Sequence, residues 1–184
     1  MRTGRLILAV AMLLALAGCA PAGQQAASSP TARATPVFAS DAEALAAAEK
    51  AYAAYLKVSA SITSAGGSSP SLIDTFVTES EATTEHRTYK YFSDGGLRSQ
   101  GSPSLGPMNL EHINYDTSGI ATLVVHACID ASNVRILDSS GVDVTPADRL
   151  NMTPLEITMR SSAEFPTKLL VAGSKKWFGS EACS

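Results

Sequence analysis

Cys19 is the residue whose setting most plainly dictates a chemistry. It closes the string Leu16-Ala17-Gly18-Cys19, in which two small residues precede the thiol and an apolar run from Leu6 precedes them. Arg2 and Arg5 supply a basic start. A spanning helix needs about 20 apolar residues, so this run is too short and reads as a signal peptide over residues 1–18. The string is a lipobox. It predicts a thioether-linked diacylglycerol on Cys19 and a mature chain held at the outer face of a bacterial plasma membrane. Two acyl chains, at about 0.8 kcal/mol per buried methylene, give stable attachment where one is marginal. The competing reading is an uncleaved anchor helix with an ordinary thiol, which the order of basic, apolar and small residues disfavours.

With Cys19 assigned to lipid, Cys128 and Cys183 remain as an even pair in an oxidising compartment. They are expected to be bridged, with two separate thiols as the alternative. A nucleophilic Cys128 is disfavoured because it lies in an apolar strand pattern, where thiols are inert. The three histidines, His86, His112 and His126, are scattered, and no H-E-x-x-H or paired-cysteine motif is present. No metal site and no cofactor are expected. There is likewise no G-x-S-x-G elbow, phosphate loop or dinucleotide fingerprint.

Within Ile120 to Asp130, alternation puts His126, Cys128 and Asp130 on one strand face with Thr122 and Val124. At about 3.3 Å per residue, His126 and Asp130 lie roughly 13 Å apart, which rules out a dyad between them. His112 and Asp116 fail by the same argument. His126 reads as a partly buried sheet histidine. Asp130 reads as an Asx-type cap of the turn Ala131-Ser132-Asn133. No catalytic residues are assigned.

Removing residues 1–18 deletes two arginines and no acid, so the formal net charge moves from −3 to −5. The only adjacent basic pair is Lys175-Lys176. Nucleic acid is therefore not an expected partner.

The elements that must position these residues fall into two blocks. Residues 20–39, almost all small or polar with one charge at Arg33, read as a flexible tether that follows the lipidated cysteine and has a reach of roughly 25 Å. Ser40 with Glu43 forms a capping box opening a helix from Asp41 to about Ile62, with Leu45, Ala48, Tyr52, Tyr55, Leu56 and Ser59 on one stripe. Ser69-Pro70 predicts a second, brief helix, and Thr78 with Glu81 repeats the capping box for a third that ends at Gly95-Gly96. Thr88 to Phe92 in that third segment is equally rich in strand formers. Beyond Gly96 the period becomes two. Strands are expected at 97–101, 108–116 with a bulge, 120–130, 134–137, 155–160 and 168–172, with turns at 117–119, 131–133 and 139–141. Trp177 and Phe178 read as strand packing. The plan is α+β, with helices on one side of a curved, mostly antiparallel sheet over residues 40–184.

The capped helix S-D-A-E-A-L-A-A-A-E-K-A-Y-A-A-Y, the strand T-L-V-V-H-A-C-I-D-A-S, the D-S-S-G turn and the terminal W-F-G-S-E-A-C follow that order. The chain resembles the nuclear-transport-factor-2-like superfamily of cone-shaped α+β domains, in particular secreted lipoproteins of high-GC Gram-positive bacteria. The resemblance implies a cone whose interior polar groups do chemistry in the enzymatic members. His126, Asp130, Tyr52 and Tyr55 are the candidates here for lining such a cavity, although tyrosines on the apolar stripe of an amphipathic helix are core residues far more often. It also agrees with a bridge between the long strand and the C-terminus.

The leading expectation is a lipid-anchored extracytoplasmic binding or assembly module without catalysis, whose partners are the membrane, an envelope protein or a small hydrophobic ligand. One alternative is a small isomerase or dehydratase acting on a hydrophobic ligand in the cone. Another is an envelope lipoprotein of phage or defensive origin that blocks the passage of foreign DNA. A cone filled by side chains favours the module, and a cavity with converging polar groups favours the enzyme.

Overall fold

The computed structural model describes residues 36–179 and Cys183. Cys19, the signal peptide and most of the tether lie outside the described residues. Helix α1, Asp41–Ser64, opens on the expected capping box. The Ser40 hydroxyl accepts from the Glu43 N–H at 3.2 Å, and the Glu43 carboxylate accepts from the Ala39 N–H at 2.8 Å. Asp41 and Glu43 also place negative charge on the positive end of the helix dipole. At the other end the Gly67 N–H donates to the Ile62 carbonyl at 2.9 Å. Gly67 has φ +80°, and a Cβ there would collide with the Tyr89 carbonyl. Only glycine lets this turn pass so close to the next helix.

Phe38 is 5% exposed and belongs to the core, with Val37 packed against it. The folded unit therefore starts before Ser40, and the segment 20–39 is not without apolar anchors. Two large apolar residues at its end were diluted by the small residues before them. The brief helix expected after Ser69 is a single 3-10 turn, Pro70–Ile73; Ser69 sits at φ 57° and makes no side-chain cap. Ile73, fully buried, anchors the turn.

Helix α2, Glu79–Asp94, runs straight through the stretch of strand formers. Tyr89 and Glu85, one turn apart, are the residues it buries, so packing against α1 overrides β-propensity. Its start corrects the second capping box. Thr78 makes no side-chain cap bond; its hydroxyl lies 3.2 Å from that of Ser80. The entry is fixed instead by the Thr78 N–H donating to the Val171 carbonyl at 2.9 Å.

Among the described residues six strands follow: β1 Arg98–Gln100, β2 Ser104–Tyr115, β3 Ala121–Asp130, β4 Arg135–Leu137, β5 Met152–Arg160 and β6 Leu170–Lys176. Strands β2, β3, β5 and β6 form an antiparallel meander in that order, and β1 pairs with β4 separately. The expected irregularity in β2 is present twice, at Leu105/Met108 and Leu110/His112. Strand β2 starts earlier than Met108 because Gly106 and Pro107 hid its first turn of the ladder. Strand β6 extends past Ala172 to Lys176, where an edge position tolerates Ser174 and the lysines.

On β3 the all-apolar set Leu123, Val125, Ala127 and Ile129 faces the helices. Ile157, Met159 and Val171 join it from β5 and β6, against Ala44, Ala48, Tyr52 and Tyr89. Thr122, Val124, His126, Cys128 and Asp130 face the other way. The architecture is thus α+β, with two helices on one face of a mostly antiparallel sheet.

The turns obey a shared rule. Asp116 Oδ1 accepts from the N–H and hydroxyl of Ser118 and from the Ile120 N–H. Asp138 does the same with Ser140 and Val142. These Asx turns hold both D-x-S-G segments between strands.

Candidate functional site

The four candidate cavity residues fall on two sides of the sheet. The sheet separates them: Tyr52 and Tyr55 lie on the helix side, while His126 and Asp130 lie on the opposite face. Period-two alternation had grouped His126 with Asp130 correctly, but the all-apolar face is the one the helices cover.

On the open face, His126 is enclosed by aromatic and acidic neighbours. Its ring stacks on Trp177 at 3.9 Å between centroids and 11° between planes. Glu111 on β2 lies 3.7 Å from Nδ1, and Glu156 on β5 lies 3.7 Å from Nε2. Both are ion-pair separations, too long for hydrogen bonds. Glu156 instead takes the Lys175 ammonium at 2.8 Å. That bond is the main reason its carboxyl is held below the ordinary glutamate value. The His126 side chain is 13% exposed. The imidazole thus packs its face on Trp177 with a carboxylate near each ring nitrogen.

Below it, Cys128 is bonded to Cys183 with the Cα atoms 5.0 Å apart. After β6 the Trp177 N–H donates to the Pro154 carbonyl at 3.0 Å as a last ladder bond. Phe178 beyond it is 93% exposed, so of the two aromatic residues only Trp177 packs. Asp130 accepts from the Ser132 N–H at 2.8 Å, the Asx cap expected from sequence. The Ser132 hydroxyl and N–H hold its carboxyl below the ordinary aspartate value.

On the helix side, α1 and α2 enclose a tyrosine–carboxylate cluster that sequence reasoning did not assemble. Tyr55 donates to Glu85 at 2.7 Å, and the Tyr52 and Tyr55 rings meet at 5.2 Å. Glu85 is 9% exposed and Tyr89 fully buried, with its hydroxyl lacking a hydrogen-bond partner. Burial first, then the charge of Glu85, pushes the Tyr52 and Tyr55 phenols above their ordinary value; burial does the same for Tyr89. These hydroxyls stay protonated at neutral pH and are not bases. The one available signal was the spacing of Glu85 and Tyr89 on a face opposite the Tyr52–Tyr55 stripe.

The centre of the interface between helices and sheet is filled. Ala48, Tyr89, Leu123, Val125, Ile157 and Met159 have no accessible surface. A side chain lining a void large enough for water would retain some.

Neither a family profile nor a curated sequence matches the chain. The fold is similar to that of the intermembrane space region of the chloroplast protein ARC6, with a TM-score of 0.52 and 8% identity. That likeness covers 72% of this chain and 95% of the other. A periplasmic fragment of TraM gives a TM-score of 0.49 and 11% identity, over 76% of this chain and 100% of that one. At 8% identity the likeness to the ARC6 region is one of fold alone.

Proposed function

We propose that this chain is a lipid-anchored extracytoplasmic module that binds or assembles at the cell envelope, built on a cone-shaped domain of the nuclear-transport-factor-2-like kind. The filled helix–sheet interface carries the reading. An isomerase or dehydratase of that superfamily works inside its cone, and here the corresponding space is occupied by Tyr52, Tyr89, Val125 and Ile157. The two polar residues on the outward face of β3 are otherwise engaged, His126 in stacking on Trp177 and Asp130 in capping the turn at Ser132. Anchoring rests on the Leu16-Ala17-Gly18-Cys19 string, and the Cys128–Cys183 bridge fits an oxidising compartment outside the cytoplasm.

Two measurements test it. Cells expressing the wild type are expected to incorporate radioactive palmitate into this protein and retain it in salt-washed membranes, whereas Cys19→Ala does neither. Equal labelling of the two would sink the anchor. For the module reading, pressurised xenon is expected to leave the methyl resonances of Val125 and Ile157 unmoved, since xenon enters only apolar voids. A xenon-dependent shift at both would reveal a cavity and favour the enzyme.

A further inference from the structure

An open groove of about 430 Å³ runs between α1, the Thr75-Phe76 segment and the turn before β6. Its floor is apolar: Ala47, Ala51 and Ala54 on successive turns of α1, with Phe76 and Leu169 opposite. The alanines are too short to close the gap, which is why a groove exists there. Lys50 and Lys168 stand at its margins. Among the described residues neither ammonium is in an ion pair, while Lys90 and Lys175 each hold a carboxylate. Lys168 lies 6.0 Å from the Phe165 ring centroid, at the far reach of a cation–π contact. In a chain of net charge −3, two cations without an ion-pair partner among the described residues flank this apolar groove.

Size decides what fits. A stable protein–protein interface uses about 20–30 residues a side, and nine residues line this groove. Its volume instead falls within the roughly 300–1,000 Å³ of small-molecule sites. We infer that the groove binds a single-chain anionic amphiphile as a free monomer, its acyl tail along the alanine and phenylalanine floor and its head between Lys50 and Lys168. The groove opens at the surface beside the core, with Leu169 at its base, so this binding requires neither the lipid on Cys19 nor an internal cavity.

Native mass spectrometry of the full chain, released from its host's membranes in a non-ionic detergent, tests the inference. Dodecanoate below its micellar concentration is expected to add once per chain, and dodecyltrimethylammonium, with the same tail and the opposite head, not at all. The Lys50→Glu/Lys168→Glu variant is expected to lose affinity about tenfold, as two partly screened ion pairs become repulsive. Ala51→Leu, which fills the floor and leaves both charges, is expected to lose the adduct too. Ala54→Leu replaces it if Ala51→Leu lowers the melting temperature. Equal addition of the two amphiphiles, undiminished affinity in the Lys50→Glu/Lys168→Glu variant, an adduct that survives the alanine-to-leucine change, association with phosphatidylglycerol vesicles only, or no adduct at all would overturn the inference.

Discussion

Replacing Cys128 and Cys183 together by alanine is expected to lower the unfolding free energy by about 4 kcal/mol. The bridge spans a sequence separation of 55 residues, and the chain-entropy model gives about 4 kcal/mol for a loop of that length. At roughly 2–4 °C per kcal/mol for a domain near 150 residues, the melting temperature should fall by about 8–16 °C. The entropic term belongs to the unfolded chain, whose loop the bridge closes. Trp177 contributes one ladder bond and one stacked ring, and Phe178 is exposed. Cys128 is 1% exposed, so alanine there also leaves a small void. Reduction without substitution separates the two effects, since the thiols stay and only the constraint goes. The chain's single tryptophan lies on the affected segment and gives a local readout. Its emission should move to the red on reduction, below the temperature of global unfolding, as the indole loosens from His126. A loss under about 1 kcal/mol on reduction would refute the reasoning, because the bridge would then restrict no loop that the unfolded chain explores.

Tyr55→Phe removes the donor to a buried carboxylate and should cost about 1–3 kcal/mol in urea denaturation, with part of the loss recovered when Glu85→Leu is added. A neutral single variant would mean that Glu85 finds water in its place. The Glu81 carboxyl is raised above its ordinary value by burial first and then by Glu85, so the folded state favours its protonated form. The stability this gives is present below the unfolded carboxylate value and lost as pH rises through the folded one. Glu81→Gln should therefore raise stability near neutral pH and change nothing in strong acid; urea midpoints at the two conditions check both, and a variant weaker at neutral pH would contradict the sign.

How far the chain could be read in advance depended on the range of the interaction that decides each feature. The Ser40–Glu43 box closes within four residues, and it was legible because capping is local chemistry. The same letters at Thr78 and Glu81 gave no such bond, because a tertiary contact to Val171 had already taken over the helix entry. Counting cysteines found the bridge, since a covalent pair needs only two candidates. Alternation sorted β3 into two faces without saying which one met the helices. The composition of the faces did carry that answer: Leu123, Val125, Ala127 and Ile129 form an unbroken apolar set, whereas the set containing His126 includes Thr122 and Asp130. A sheet with helices on one side must turn its unbroken set toward them, because an unpaired polar group there would lose water without replacement. Tyr55 and Glu85 escape that rule only by pairing with each other, across 30 residues of sequence that no local pattern spans. The same physics directs the search for function outward. Once the interior is occupied by side chains, selectivity for any ligand rests on charges that the folded surface leaves unpaired, and the groove beside Lys50 and Lys168 combines such charges with apolar depth.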